Sequence, residues 1–261
     1  MLILVLFKKE ILSISYSFLK RDLEYYLKDV KSLIIFLTVF LSGLLVFLAS
    51  LKNMLGGSDN YFVFLLVGYL VVSYMNISAG SGFELINESY EGKLQYDKTL
   101  PINRKLYSII RLFGISLRGY INFLFCLLII FPLLLPYFTL GNLLIFLISS
   151  LILAVIFTGI CLIPIVFTKN LTIQSVIGSV LRSWFFLGST IFYPYDTIPN
   201  FLKLVVILNP VTWILDLIRT SMKIPFSSHL PLEVSIIVIG TYLLISLFGG
   251  IKVLETYNHE E

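Results

Sequence analysis

The sequence has few charged residues and almost no histidine or cysteine. Only 13% of its 261 residues are charged, and it contains two histidines and two cysteines. His229 and His259 lie outside the long apolar stretches, and neither belongs to an HExxH motif. A membrane metalloprotease, an aspartyl protease and a general acid–base enzyme would all lack their usual side chains here. The sequence therefore predicts a protein that is not itself an enzyme.

A nucleotide-binding motif is also missing. A phosphate-binding P-loop follows the pattern G-x-x-x-x-G-K-[ST]. Gly92-Lys93 is the only Gly-Lys pair, but Asn87 stands where the first Gly belongs and Leu94 stands where Ser or Thr belongs. Cys126 and Cys161 are far from any CxxC spacing, so we interpret them as packing residues. We expect no cofactor and no metal on this chain.

Long apolar runs occupy most of the sequence. Hydrophobic residues make up 58% of it, and the mean hydropathy is +0.96. A bilayer core of about 30 Å needs about 20 helical residues, and six runs are near or above that length. Four runs have no charged residue: Leu33–Leu51, Tyr61–Phe83, Gly119–Tyr137 and Leu143–Thr168. The fifth has only Arg182, and the last has only Glu233 near its start. The sequence predicts an all-α integral membrane protein with one domain over residues 1–261, whose six spans lie at about residues 33–51, 61–83, 111–136, 143–168, 171–193 and 232–251.

The basic residues are distributed unevenly between the two sides of these spans. Fourteen lie in the N-terminal stretch, the second and fourth joints and the C-terminal tail, whereas four lie on the other side. Because Lys and Arg favour the cytoplasmic side, both termini are predicted to face the cytoplasm of a prokaryotic cell. We interpret the basic excess as a topological signal and expect no nucleic-acid partner.

Residues 1–31 precede the first span and contain an amphipathic pattern. Apolar residues recur at spacings of mostly three or four between residues 11 and 30, with lysines and acids in much of the remainder. Such a helix is predicted to lie along the inner membrane surface, in contact with membrane lipids. A soluble leader helix is the alternative.

Two joints are longer than the others. The first, Glu84–Arg118, is called the inner joint; its middle is predicted to form a short helix over Glu91–Leu100 that ends at Pro101. Its charges of both signs are suited to docking a soluble partner, and a solvated turn is the alternative. The second, Pro194–Glu233, is called the outer segment.

The outer segment is too interrupted to be a good span. It is predicted to form two short re-entrant helices that break at Asn209-Pro210, since irregular backbone at this depth must be buried in protein or line a cavity. Asp216 and Arg219 are three residues apart, which would let them pair on one helix face. An interfacial loop that caps the bundle is the alternative.

Polar and small residues also occur within two of the spans. Arg182 lies in the middle of the fifth, where a charge facing lipid costs roughly 2.5–3.5 kcal/mol. Small residues recur at four-residue spacing in spans two and five, a pattern that permits close helix contact: Ser78, Gly82, Ser175, Ser179 and Ser183. We predict that these residues and Arg182 belong to a translocation path or a dimer interface. Simple packing, with Arg182 reaching the headgroups, is the alternative.

Two sequence motifs resemble those of ABC transporter permeases of the type-2 exporter family. The run from Glu91-Gly92 through Pro101 to Arg104 is similar to its "E-G-T-L-…-T-P-…-R" stretch. Downstream, a second set is similar to its "SG-FFP…LP…LNP-T…D-R" pattern: Phe186–Pro194, Ile198-Pro199, Leu208–Thr212, Asp216 and Arg219. The order of the motifs and the count of spans match over essentially the whole chain.

This resemblance implies a half-channel that pairs with a second copy or a paralogue. Two ABC ATP-binding subunits, which hold ATP and Mg, would drive it. The inner joint would contain the coupling helix that docks on the ATPase, and spans two and five would line the passage. The matched docking positions are Glu91, Gly92, Leu94, Thr99, Pro101 and Arg104, while Lys93 departs from the family's small or hydroxyl residue.

The substrate is less well defined by the sequence. Short cytoplasmic stretches favour an exporter of amphipathic drugs or lipids in the cell membrane. A polysaccharide or glycolipid exporter is one alternative, and a channel or scaffold that needs no ATPase is another.

Overall fold

The structure, a computed structural model, describes residues 59–90, 103–168, 170–224, 226 and 230–257, together with isolated positions between 16 and 46. Within these ranges every regular element is a helix, which confirms the all-α class. The α-helices are α1 (Asp59–Tyr90), α2 (Arg104–Leu134), α3 (Leu140–Leu162), α4 (Leu171–Leu187), α5 (Asn200–Ile207), α6 (Pro210–Ser221) and α7 (Leu232–Tyr257). The predicted coupling helix lies outside the described residues, as do most of the interfacial helix and of the first span.

The helix starts follow from local capping residues. A side-chain oxygen placed just before a helix accepts a hydrogen bond from the first backbone N–H groups, which have no partner inside the helix. Asn103, Thr139, Asn170 and Asn209 cap α2, α3, α4 and α6 in this way. Proline marks two helix ends, because Pro136 and Pro164 lie in the short 3₁₀ turns that follow α2 and α3.

Three helices are long and apolar enough to cross a membrane, within the part of the chain that the structure describes. With their terminal turns they cover Arg104–Tyr137, Leu140–Val166 and Leu232–Thr256. Helices α5 and α6 together would add a fourth, but they are bent by 89° at the break between them. By length and composition these helices fit an integral membrane protein, and the count of six spans remains a prediction.

Some element boundaries differ from those predicted. Helix α4 ends at Leu187, six residues before the predicted end of span five at residue 193. The side chain of Asn209 binds the backbone carbonyls at this end of the helix. Helix α1 continues to Tyr90, beyond residue 83, and α2 begins at Arg104, ahead of residue 111. The extension of α1 carries Glu84 and Glu88, which pair with Arg118 and Arg111 of α2. Hydropathy alone therefore placed the end of α1 too close to its apolar run.

Helix α1 lies at the centre of the bundle and packs against α2, α3, α4 and α6. Its residues 63–67 are buried in the main core. Helix α7 packs along α3, where Gly159 lets the backbone of Ser246 approach closely and the Ser246 hydroxyl donates to the Val155 carbonyl at 2.7 Å. The opposite face of α7 exposes large apolar side chains, including Ile237 and Phe248, as expected of a lipid-facing surface.

Candidate functional site

The break between α5 and α6 is fixed by the buried side chain of Asn209. Its Oδ1 accepts a hydrogen bond from the backbone N–H of Val211 at 3.0 Å, which caps α6. Its Nδ2 donates to the carbonyls of Trp184, Phe185 and Gly188 at 3.0, 3.3 and 3.0 Å. The last carbonyls of a helix have no partner within it, so Asn209 both starts α6 and terminates α4. Pro210 follows at the first helical position, where its missing N–H costs nothing.

Arg219, near the other end of α6, makes a second set of hydrogen bonds to backbone carbonyls. Only 1% of the residue is exposed, and its guanidinium donates to the carbonyls of Thr190, Ile191 and Phe64 at 2.6, 3.1 and 3.0 Å. The guanidinium carbon also lies 3.5 Å from the centre of the Phe64 ring, in a cation–π contact. A buried charge is tolerated when it is hydrogen-bonded, and here the two Nη nitrogens connect the chain after α4 to α1, while Nε has no hydrogen-bond partner among the described residues.

Two α1 residues that sequence reasoning did not single out complete this region. A Cβ on Gly68 would lie 2.6 Å from the Ile191 carbonyl oxygen and 2.8 Å from Nη2 of Arg219, so only glycine leaves room for the guanidinium. The Tyr61 hydroxyl donates to the Phe192 carbonyl at 2.6 Å. A glycine within an apolar span was the available signal, but the role of Gly68 depends on a residue far away in sequence.

Asp216 lies on α6 with Arg219 and is also buried. Its Oδ2 accepts a hydrogen bond from the backbone N–H of Leu230 at 2.8 Å, which attaches the approach to α7. All four predicted residues of the outer segment, Asn209, Pro210, Asp216 and Arg219, are therefore buried on α6 or at its cap.

An apolar cavity of about 380 Å³ lies beside this region, between the end of α4 and α5. Its walls include apolar side chains and a smaller number of hydroxyl groups: Leu187, Ser189, Tyr193, Ile198, Leu202 and Val206. A volume of this size is within the range of small-molecule pockets, which are mostly apolar with a few polar groups.

Helix α4 has an exposed face that contains the predicted path or interface residues. Ser175, Ser179, Arg182 and Ser183 are all exposed on the isolated chain. Apolar residues accompany them, with Val176 and Val180 58% and 61% exposed. This face is thus a mixed strip of small, apolar and charged side chains. An arginine exposed within a membrane is more favourable against protein or water than against lipid.

Ser78, the other predicted path residue with a described side chain, is in a different setting. It is fully buried between α1 and α3, and its Oγ lies 3.2 Å from the hydroxyl oxygen of Thr158 in a hydrogen bond. Gly119 on α2 approaches the same place, with a Cβ position 3.7 Å from the Ser78 Oγ. Ser78 thus lies within the bundle, whereas the serines of α4 lie on its surface. Gly82 lies on α1.

Two acid–base pairs connect α1 to α2 at the inner joint. Arg118 donates to Glu84 at 2.5 Å, and Arg111 donates to Glu88. Glu88 lies beyond the predicted end of span two at Phe83, and burial raises its pKa while Arg111 opposes that shift. Sequence reasoning counted the two arginines as topological charges and the two glutamates as part of the charged inner joint. The spacing of four between the acids and seven between the arginines places each set on one helix face, which was the signal for pairing.

The predicted docking residues are mostly outside the described part of the chain. Glu91, Gly92, Leu94, Thr99 and Pro101 fall there, so their role remains a prediction. Arg104 is described as the first residue of α2, where it is exposed to solvent immediately after the Asn103 cap. It is therefore accessible at the end of α2 that follows the predicted coupling helix.

Comparison with known families defines the class of protein. An apolar helical bundle with exposed lipid-facing surfaces is a membrane protein, and the model of the ABC-2 type transporter family matches residues 2–223. The chain belongs to the ABC-2 type transporter family. It is thus a transmembrane transport protein of the ABC class, and the family in general has an ABC ATP-binding partner. No curated protein matches the sequence significantly.

Proposed function

We propose that the chain is the membrane-spanning permease subunit of an ATP-driven exporter, with hydrolysis of ATP and binding of Mg on separate subunits. Its six spans would form one half of a translocation path, and both termini would face the cytoplasm. Residues 1–261 would form a single permease domain. The observation that carries this proposal, beyond the family, is the exposed face of α4 around Arg182.

Arg182 and its serine neighbours favour a second permease copy or a paralogue as partner. Exposure of this face to lipid would be unfavourable, because placing an arginine in the middle of a span costs roughly 2.5–3.5 kcal/mol. Its small side chains also let another helix approach closely. The matched family positions lead to the same arrangement, in which span five contributes to the path and to the contact between halves.

Cysteine cross-linking tests this pairing, since both native cysteines are free and buried. Ser179→Cys in membranes should give a disulfide-linked dimer upon mild oxidation. Ile237→Cys on α7, where the native side chain is 68% exposed, is the matched control and should stay monomeric. A cross-link that needs a co-expressed paralogue would identify a heterodimer. Equal cross-linking at both positions, or at neither, would contradict an α4 interface.

Coupling to an ATPase is proposed for the inner joint. Residues Glu91, Gly92, Leu94, Thr99, Pro101 and Arg104 would contact a groove on the ATP-binding subunit. Replacing Glu91 or Arg104 by alanine should reduce stimulation of ATP hydrolysis by the permease, with insertion unchanged. The experiment is co-purification with the ABC ATPase encoded nearest in the genome, followed by phosphate release in proteoliposomes. If the wild-type chain neither binds nor stimulates any such ATPase, a channel or scaffold is the better reading.

An amphipathic drug or lipid is the proposed substrate class. The cavity between α4 and α5 supports it, because apolar walls with a few hydroxyl groups suit a molecule of mixed polarity. A polysaccharide or glycolipid is the second candidate, favoured by the aromatic content of 15%, because sugars stack on aromatic rings. Efflux of a fluorescent amphipathic dye from loaded vesicles that hold the permease–ATPase complex would support the first. Loss of surface glycan upon deletion, without any effect on dye efflux, would favour the second.

A further inference from the structure

The inner joint is bounded by two ion pairs that lie in matching order on antiparallel helices. Helix α1 leads into the joint and α2 leads out of it. Glu88 and Arg111 are the pair nearer to the middle of the inner joint, and Glu84 and Arg118 are the pair at its two ends. Each helix is therefore attached to the other at two successive levels, next to the predicted ATPase-docking residues.

These ion pairs are built into a packed region. Arg111 is 3% exposed and Arg118 is 8% exposed. Beside them, Leu85 and Ile86 of α1 pack with Leu112 of α2 in a cluster that is separate from the main core, and this cluster also includes residues from the end of α3 and from α7: Leu162, Ile165, Val253 and Leu254. The arginines are buried, while the Glu88 and Glu84 side chains are 18% and 35% exposed. Charge-assisted, directional pairs of this kind oppose sliding of α1 along α2.

The other end of α1 is attached to the outer segment and the chain before it. The Phe64 carbonyl accepts from Arg219, and the Tyr61 hydroxyl donates to Phe192. Helix α1 is continuous between these contacts and Glu88, and it contains no proline. A displacement of its inner end has a direct mechanical route to the backbone around residues 190–192.

We propose that Glu84, Glu88, Arg111 and Arg118 are positioning residues that make α1 and α2 move as one unit when an ATPase acts on the inner joint. Helix α1 then delivers this movement to the outer segment through Phe64 and Arg219. The inference rests on the proposed permease function. It goes beyond that function by assigning the transmission step to residues outside the docking motif.

The test measures movement of the outer side in the purified permease–ATPase complex in lipid nanodiscs. Spin labels are placed at Leu140→Cys and Phe201→Cys, because each native side chain is 79% exposed. The native cysteines are buried and should not be labelled. In the otherwise wild-type complex, ATP with vanadate should change the distance between the labels. The charge reversal Glu88→Arg should abolish at least half of this change while ATP hydrolysis continues.

The exchange Glu88→Arg with Arg111→Glu should restore the distance change, since it rebuilds the pair in reverse. Where the single reversal does not yield folded complex, Glu84→Gln with Glu88→Gln replaces it. Glu24→Gln is the matched control, because Glu24 belongs to an exposed pair with Lys20 whose nitrogen–oxygen distance is 3.7 Å. It should leave the distance change intact.

The outcomes separate this inference from the function on which it rests. A full distance change in the charge-reversed or glutamine variants overturns it, as does a reversed pair that fails to restore movement in a folded, hydrolysing complex. A wild-type complex that hydrolyses ATP without any distance change overturns this inference alone. A wild-type chain that binds no ATPase overturns the proposed function, and this inference with it.

Discussion

Gly68 of α1 lies directly against the guanidinium of Arg219, 151 positions later in the chain. A Cβ at residue 68 would be 2.8 Å from Nη2 of Arg219 and 2.6 Å from the Ile191 carbonyl oxygen. The close approach lets one arginine collect three carbonyls from α1 and from the chain after α4. The stability of the outer segment therefore depends on residue 68 of α1 having no side chain.

Gly68→Ala is expected to destabilise the protein by about 1–3 kcal/mol, because the methyl group forces the guanidinium and the residue 191 backbone apart. Gly80→Ala is the matched control on the same helix. A Cβ there meets no described atom within 4 Å, and alanine should gain up to about 1 kcal/mol of helix propensity. The melting temperature in detergent should thus fall for Gly68→Ala and rise for Gly80→Ala. Equal shifts would contradict the contact between Gly68 and Arg219.

Arg219→Lys should also lower the melting temperature. A lysine keeps the charge but has no planar fork, so at least one of the three buried carbonyls loses its donor, at a cost of about 1–3 kcal/mol. The same change at the exposed Arg104 should leave the melting temperature within about 1 °C. Wild-type stability in Arg219→Lys would mean that these carbonyls do not depend on the guanidinium.

Asn209→Asp separates the two roles of this side chain. Aspartate is as good a helix cap as asparagine, so α6 keeps its first hydrogen bond. It has no N–H to donate, however, and it places a negative charge among three buried carbonyl oxygens, which we expect to cost about 3 kcal/mol. Asn103→Asp at the exposed cap of α2 is the control and should be neutral. Scanning calorimetry or fluorescence-monitored melting measures both, and a neutral Asn209→Asp would refute the second role.

Gly159→Ala should separate α3 from α7. An added Cβ would overlap with the hydroxyl and the backbone carbonyl of Ser246, so the two helices must move apart. We expect a fall in melting temperature of about 5 °C and a reduced yield of monodisperse protein. Gly240→Ala on α7 has no described atom within 4 Å of the new Cβ and should behave as wild type. Size-exclusion chromatography after a heating series distinguishes them.

Sequence reasoning could predict those features that depend on local composition. The apolar runs predicted α2, α3 and α7, and the cap at Asn209-Pro210 predicted the break between α5 and α6. The end of α4 was placed at residue 193 because the run stays apolar, whereas Asn209 binds the carbonyls that end it at Leu187. Gly68 and the pairing of Glu88 with Arg111 depend on which helices are neighbours, and hydropathy carries no such information.

The length of α1 has a consequence for how the molecule meets its surroundings. Its 32 residues extend for about 48 Å, whereas the hydrocarbon layer is about 30 Å thick. As the predicted second span, α1 would project several turns beyond the lipid tails, and the end that carries Glu84 and Glu88 is the polar one. A protein that approaches from that side would contact the projecting ends of α1 and α2, which are joined by two ion pairs, before it contacts the headgroups.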